Sequence, residues 1–527
     1  MGVIDEHLVE LLKGPRQPVG AGRRNEAEHV CAILARIREA RRGRIALMLM
    51  TPHAYLDSIR QRGITVWFRG EKLANPVDHP VTFPAANCVA ETYRMALDPG
   101  TQGLMTAPSH LTGERINVSN ILWRSRDDLL RRIEWERAVA RRTARGALRS
   151  PGLDALNALA IITKRIDRER GTDYRTRLDH FLRETHEHDW ALSGAMTDPR
   201  GDRTKSPSQQ IDPDLYLRVV ERRRDGVVLR GAKAHQTSAP HAHWHLVLPM
   251  GCRSGEEDWA IAAAVPSNAP GLYHIYSRQP GDDRRVEGSE IDVGLAAFGG
   301  CESLLVFDDV FVPPERIFLN GETTATRDLV HYFGSFHRHC YGGCKVGIAD
   351  VLIGAAASIA DMHGVLERPI IQDKLTEMVH LAETMYACAV AASARGEPVE
   401  DVWIPNLALA NVTKLNVTRF PFEIARLAAD LAGGAMTTLP SERDLRHPEL
   451  GKVVRKFMST RSGIDPEDRM RILRLLEYLT HGMGSTYFLH ESLHGAGAPE
   501  AMRIMLRKEI DLAPHIAAAR ALAGIER

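Results

Sequence analysis

The chain has 527 residues, 44% of them hydrophobic and 26% charged, which excludes wholesale disorder and a fibrous architecture. Its length suggests several packed parts, not one core. Lysine and arginine total 68 against 67 acids, so the concentrated basic excess that nucleic acid or an anionic membrane surface needs is missing.

Residues 1–45 read as a polar, arginine-rich extension, with helical spacing of apolar residues between Glu26 and Arg42. Residues 46–185 form a helical domain, broken by loops such as ANPVDHPVTFPAAN; its arginine-loaded helix Arg126–Arg145 reads as a solvated face. From 186 to 325 the texture changes to short β-branched and aromatic runs (YLRVVERR, GVVLRGAKA, HWHLVLPM, WAIAAAVP, YHIYSR, SLLVFDDVFVP) separated by turn clusters. That spacing predicts a small β-barrel or sandwich. Residues 326–527 are helical again, with long periodic stretches at Leu329–Met362, Gln372–Ala394, Asn406–Gly433 and Asp468–His490. The fold class expected is therefore α+β: a helical domain, a middle β-barrel and a C-terminal helical bundle.

No stretch of eighteen uncharged apolar residues stands out as a membrane span, and the first thirty residues lack the apolar core of a secretory signal. Seven scattered cysteines make no disulfide framework, and a reducing cytoplasm is the expected location.

The densest chemistry lies in Phe336-His337-Arg338-His339-Cys340-Tyr341-Gly342-Gly343-Cys344-Lys345. His337, Tyr341, Cys344 and Lys345 fall on one helical face, an unusual stripe for a core because unpartnered buried polar groups cost about 2 kcal/mol or more each. The two adjacent glycines suggest a close approach to the helix backbone. A satisfied helix–helix contact is the plain alternative to an active site. Zinc is disfavoured here, since a helix scatters His-x-His-Cys-x-x-x-Cys; His241-x-His243-x-His245 shares a strand face but lacks an identifiable fourth ligand. Gly194–Arg203 is a loop in which backbone amides and Thr197 suit the polar edge of a planar cofactor, and Arg203 a phosphate. Lys233–Thr237 ends a strand with crowded polar side chains. Gly433-Gly434 and His494–Pro499 are small-residue breaks at helix ends, where free amides suit anions. No GxGxxG or Walker motif is present, so any nucleotide is held in another way.

Eight segments in order, among them DHPVTFPAANCVAETY, GAMTDPRGDR, GAKAHQTS, FGGCESLLVFDDVF, HRHCYGGCKVGIADVLIGAA and ESLHGAGAPEAMRIM, give the chain its family likeness. From about Leu47 to Ile525 it resembles the 4-hydroxybutyryl-CoA dehydratases and, more distantly, the flavin-dependent 4-hydroxyphenylacetate 3-hydroxylases. The resemblance implies an acyl-CoA-dehydrogenase-like architecture, FAD and a homotetramer. It implies catalytic roles for His337, Tyr341, Lys345, Glu302 and Glu491. Cofactor contacts are implied at Met196, Thr197, Arg203, His235, Gln236, Thr237, Gly433 and Gly434, and substrate contacts at Arg149 and Ser150.

The departures are specific. The dehydratases hold a four-iron cluster on three cysteines and a histidine. His337 and Cys344 match two ligands, but Gly146 and Ser150 stand at the other two and cannot replace thiolates. No iron–sulfur cluster and no other metal are therefore expected. Leu153 and Gly194 stand where the hydroxylases carry a tyrosine and a histidine. With the cluster gone, the favoured expectation is an FAD-dependent monooxygenase acting on an electron-rich small molecule, supplied with reduced flavin by a separate reductase. The alternative is a cluster-free dehydratase or double-bond isomerase on an acyl-CoA, with His337 as the base.

Overall fold

The computed structural model describes residues 49–146, 148–281 and 290–525. The expected N-terminal extension, 1–45 with its helix, lies outside the described residues.

Among the described residues five helices of nine or more residues lead: α1 Pro52–Arg60, α2 Phe83–Leu97, α3 Arg126–Thr143, α4 Ser150–Arg170 and α5 Tyr174–His188. The start of α3 is fixed by a capping box in which Ser125 and Asp128 satisfy each other's amides, and it ends at Ala144, whose backbone turns left-handed (φ 50°). That turn ends α3, and α4 begins at Ser150. Pro151, inside the first turn of α4, suits a helix start because its missing amide hydrogen was an orphan there anyway.

The strand-rich part contains every expected run. With β1 Val66–Phe68 and β2 Glu71–Lys72 from the N-terminal segment, the order continues β3 Leu192–Ala195, β4 Arg218–Arg223, β5 Gly226–Thr237, β6 Trp244–Val247, β7 Ile261–Pro266, β8 Leu272–Tyr276, β9 Glu302–Val312 and β10 Ile317–Asn320. These make two open sheets, ordered β2-β1-β8-β9-β5-β4 and β10-β7-β6-β3. Their inner faces share one core, including Leu229, Phe307 and Val310 from the first sheet and Val247, Ala263 and Ile317 from the second. The barrel expectation is thus corrected: among the described residues no closed barrel forms. Charged edge strands (Glu71-Lys72, and Glu221-Arg222-Arg223 in β4) oppose further pairing, and breaks in register along β5–β9 kink the ladder instead of closing it.

The bundle that follows is built on α6, Thr323–Met362, forty residues long. By length and composition α6 could cross a membrane, though it is interrupted by charges such as Lys345 and Asp350, and 67% of its most apolar window is buried, as in a core helix. Around it pack α7 Pro369–Ala394, α8 Leu407–Val417, α9 Phe420–Ala432 and α10 Pro466–Thr480. Two expected helices are broken. Asn406–Gly433 divides at Thr418-Arg419 because Pro421 starts a new helix; Asp468–His490 stops at Thr480, before Gly482 and Gly484. The glycines of α6 explain themselves here. A Cβ at Gly343 would sit 2.6 Å from the Ile133 carbonyl oxygen, and at Gly342 and Gly347 it would overlap Ala389 and the Arg137 carbonyl. The close approach read from the sequence is that of α3 and α7 to α6, not of a ligand.

Candidate active site

Arg145 and Gly146 after α3, the first turn of α4, the end of β5, the middle of α6 and Glu491 meet around a small cavity of about 30 Å³. Its lining includes Arg145, Gly146, Ser150, Thr237, His337, Cys340, Tyr341, Cys344, Lys345 and Glu491. Just over two helical turns supply most of that lining, since α6 presents residues 337, 340, 341, 344 and 345 along one side. Cys340 thus joins the stripe read from the sequence. His339 does point away and bonds Ser393 (2.6 Å).

Two carboxylates of opposite character stand here: Glu491 lines the cavity, and Glu302 sits behind Thr237, which lines it. Glu491 accepts from Arg145 (2.7 Å) and Lys345 (2.5 Å), and these cations hold it well below the usual carboxylate range despite its burial. Glu302 accepts from Thr237 (2.8 Å), with Arg145 at 3.6 Å. Burial, then the negative charge of Glu491, raises its pKa, so Glu302 keeps its proton where Glu491 does not. Tyr341 is buried and its pKa is raised by burial, then by Glu491. Its ring lies between the ammonium groups of Lys345 (5.1 Å) and Lys414 (4.6 Å). Its hydroxyl occupies the space a side chain at position 495 would fill, which is why that residue is Gly495.

His337 stacks on Phe333 and places Nδ1 2.8 Å from Asp154 Oδ2. Asp154 also pairs with Arg132 at 2.5 Å, both fully buried. Asp154, His337 and Cys340 offer donor atoms within 4.8 Å of one another, a spacing a metal could use. Arg132 already engages the carboxylate and competes with a cation there. The histidines of the 241–245 run do not converge: His243 bonds Ser58 and the Ala191 amide, and His245 bonds Ser193 and His274.

The other expected residues divide. Ser150 lines the cavity and donates to Glu136 Oε1 (2.5 Å). Arg149 is buried away from it, donating to the Trp190 carbonyl (3.0 Å) and lying over Tyr93. Met196 and Thr197 flank Gln236 across the strand ends: Lys233 ties the loop down through the Met196 carbonyl (3.0 Å) and Asp198 (2.6 Å), and Gln236 donates to the Thr197 carbonyl. Thr197, Arg203 and His235 are exposed, and His235 has a left-handed backbone (φ 56°) uncommon for a non-glycine. Gly433 and Gly434 end α9 with open space around them. Sequence reasoning missed Arg132, Glu136, Arg145, Asp154 and Lys414. Asp154 and Lys414 did leave a signal, as single charges in apolar helical runs (SPGLDALNALAII, LALANVTKLNV). Burial, with Lys345 next, lowers Lys414 to about 7, and it donates to the Ser492 carbonyl. A larger cavity of about 420 Å³ beside Pro314 has Arg177, Arg222 and Arg223 paired to Asp173, Asp258 and Glu221, which leaves it no comparable chemistry.

Helices on either side of two open sheets, with a buried acid–base cluster where they meet, define an enzyme of the acyl-CoA-dehydrogenase-like class. Within that class the chain belongs to the 4-hydroxyphenylacetate 3-hydroxylase family, whose N-terminal profile matches residues 51–319 and whose C-terminal profile matches residues 326–524. It is 44% identical over 490 residues to a 4-hydroxybutyryl-CoA dehydratase/vinylacetyl-CoA-Delta-isomerase of Clostridium aminobutyricum, covering 91% of this chain and 100% of that one. An oxygen-tolerant archaeal 4-hydroxybutyryl-CoA dehydratase from N. maritimus superposes with a TM-score of 0.88 at 43% identity, over 91% of this chain and 96% of that one. The oxygenase component of a 4-hydroxyphenylacetate 3-monooxygenase, solved with FAD and 4-hydroxyphenylacetate, shares the fold: TM-score 0.79, 24% identity, 90% and 98% coverage.

Proposed function

We propose that this protein is a cluster-free double-bond isomerase or dehydratase acting on an acyl-CoA. This reverses the order of the two expectations drawn from the sequence, and the observation that carries it is the pair of opposed carboxyl groups, Glu491 lining the cavity that His337 also lines and Glu302 one hydrogen bond behind it through Thr237. His337, whose Nε2 has no protein partner among the described residues, removes a proton from the carbon α to the thioester. The protonated carboxyl of Glu302 returns a proton further along the chain. Glu491, held ionised by Arg145 and Lys345, keeps Glu302 protonated between turnovers. Tyr341, between two ammonium groups, donates to the oxygen on which charge develops. The 44% identity to an enzyme named for both reactions supports this substrate class. So does Gly194: a side chain there would overlap the Pro151 carbonyl, which shuts out the histidine expected of the hydroxylases.

The donor set does not fit a four-iron cluster. Gly146 supplies no donor, and a side chain there would start 3.3 Å from the Cys344 Cβ; the Ser150 hydroxyl is engaged by Glu136 and His337 Nδ1 by Asp154. FAD fits better. Thr197, Arg203, His235, Gln236, Thr237, the Met196 backbone and the Gly433-Gly434 turn are assigned to it, with the exposed hydroxyl of Thr197, imidazole of His235 and guanidinium of Arg203 suited to its polar edge and phosphates. When bound, it would supply the redox chemistry that makes an unactivated carbon–hydrogen bond labile. The apolar residues left exposed on Leu450–Met458 and Ala513–Leu522, including Phe457 at 72%, support self-association, which we read as a homotetramer.

A two-component monooxygenase with a separate reductase is the second reading, favoured by one observation: without cluster donors, FAD would be the only redox group. Anaerobic incubation of the FAD-loaded protein with a β,γ-unsaturated acyl-CoA separates the two. Conjugated product without oxygen or reductase is expected. Product formed only with oxygen and reduced flavin, from an electron-rich substrate, would reverse the assignment.

A further inference from the structure

Asp154 is a fully buried carboxylate in the first turns of α4, within a run of apolar residues, and the reaction scheme above does not use it. Its two oxygens have different partners. Oδ1 lies 2.5 Å from Arg132 Nη2, and Oδ2 lies 2.8 Å from His337 Nδ1. Arg132 in turn donates to the Phe336 carbonyl (3.2 Å), sits 3.7 Å from Glu136 and covers the Trp123 ring at 4.4 Å. Glu136 accepts the Ser150 hydroxyl at 2.5 Å. The chain Ser150–Glu136–Arg132–Asp154–His337 therefore runs from the first residue of α4, across α3 and back through α4, to the ring lining the cavity. Four of its five members are at most 3% exposed.

We infer that Asp154, locked by Arg132, is the positioning residue for His337. A carboxylate paired with a guanidinium offers only acceptors, so the shared hydrogen is His337 Nδ1–H. That fixes one tautomer and leaves Nε2 with its lone pair toward the cavity, the form a base needs. The guanidinium fork binds Asp154 on one side and a carbonyl of α6, one residue before His337, on the other; it holds carboxylate and helix in register. Ser150 is part of this arrangement through Glu136, so the residue that departs from the cysteine pattern is built into the support of the base.

The inference rests on the reading of His337 as a base, and its test has one arm independent of turnover. In ¹⁵N-histidine-labelled protein, the His337 signal is identified by its loss in His337→Gln. Its ring should show Nδ1 protonated in the parent protein and a mixed or Nε2-protonated ring in Asp154→Asn. With the isomerisation substrate, Asp154→Asn should lower kcat about 10²-fold or more while KM stays within about twofold, as expected when a base is left in the wrong tautomer. The double variant Asp154→Asn/Arg132→Gln removes both buried charges and guards against misfolding. If Asp154 merely neutralised Arg132, the double variant would regain activity; as a positioning residue it leaves kcat low. Retention of the Nδ1–H tautomer in Asp154→Asn overturns the inference whether or not the acyl-CoA reaction is found. So does recovery of kcat in the double variant, or one equivalent of zinc in the purified parent protein that Asp154→Asn and Cys340→Ser both lose.

Discussion

Two buried polar clusters sit in this molecule, and they are built on opposite terms. In the sheets, protons can be assigned along a closed path. His274 Nδ1–H donates to the Thr65 carbonyl, so its Nε2 accepts from His245 Nε2–H (3.2 Å), and His245 Nδ1 accepts the Ser193 hydroxyl (2.7 Å). His243 likewise takes the Ala191 amide on Nδ1 and gives Nε2–H to Ser58. Every ring is neutral, and burial drives the pKa of each down. Around α6 the opposite holds: ammonium, guanidinium, carboxylate, thiol and phenol crowd together, their titrations pulled apart, and His337 Nε2 is left free. A polar network whose donors and acceptors all match is a way of filling a core. One whose protonation states conflict, beside a cavity, is a way of moving protons.

The sharpest way to break this contrast is to exchange the outcomes. His337→Ala should cut turnover roughly 10²–10⁴-fold while the melting temperature stays near that of the parent protein; assay and thermal denaturation on the same preparation check both. Ser193→Ala should do the reverse. It leaves His245 Nδ1 buried without a donor, at a cost of about 1–3 kcal/mol, with kcat per folded molecule unchanged. Denaturant titration reads the loss. The smallest effect concerns pH. Burial lowers His241 to about 3 and His274 and His186 to about 4, below an unfolded value of about 6.5. The unfolded chain then binds protons first, so stability is intact above about pH 6.5 and is lost as pH falls toward those values, by up to about 1.4 kcal/mol per unit per histidine. His241, with no partner on either ring nitrogen, tests this most cleanly: His241→Phe should make the pH 7-to-5 decline in melting temperature shallower.

How much of this was legible in the sequence follows the same division. Periodicity located the strands and the long helices because alternation and helical spacing are local properties. Closure of the sheets was not legible, since it depends on edge charges and register breaks between strands far apart in sequence. The stripe His337–Lys345 could be read because its polar types violate core composition on one helix. Arg145 could not: it follows an arginine-rich helix in which Arg126 and Arg141 face solvent while Arg132 is buried, a split that composition does not show, and the left-handed turn at Ala144 lies between that helix and Arg145. Asp154 and Lys414 were single charges in apolar runs, a pattern that marks burial but names no partner. Arg149, expected at the substrate, instead supports the helix–strand junction at Trp190, a contact no spacing rule encodes.

The glycine seam of α6 has a mechanical consequence. At Gly342, Gly343 and Gly347 the helix meets α3 and α7 almost backbone to backbone, so nothing on that side can give way without lifting a whole helix. His337, Tyr341 and Lys345 stand on this fixed wall. Glu491, their partner across the cavity, follows a wide-pitched turn at Thr486–His490 and two glycines, a softer stretch of chain. The cavity is thus walled on one side by helices in backbone contact and on the other by a carboxylate held through ion pairs to Arg145 and Lys345, so its two walls differ in kind: one is set by van der Waals contact, the other by charge.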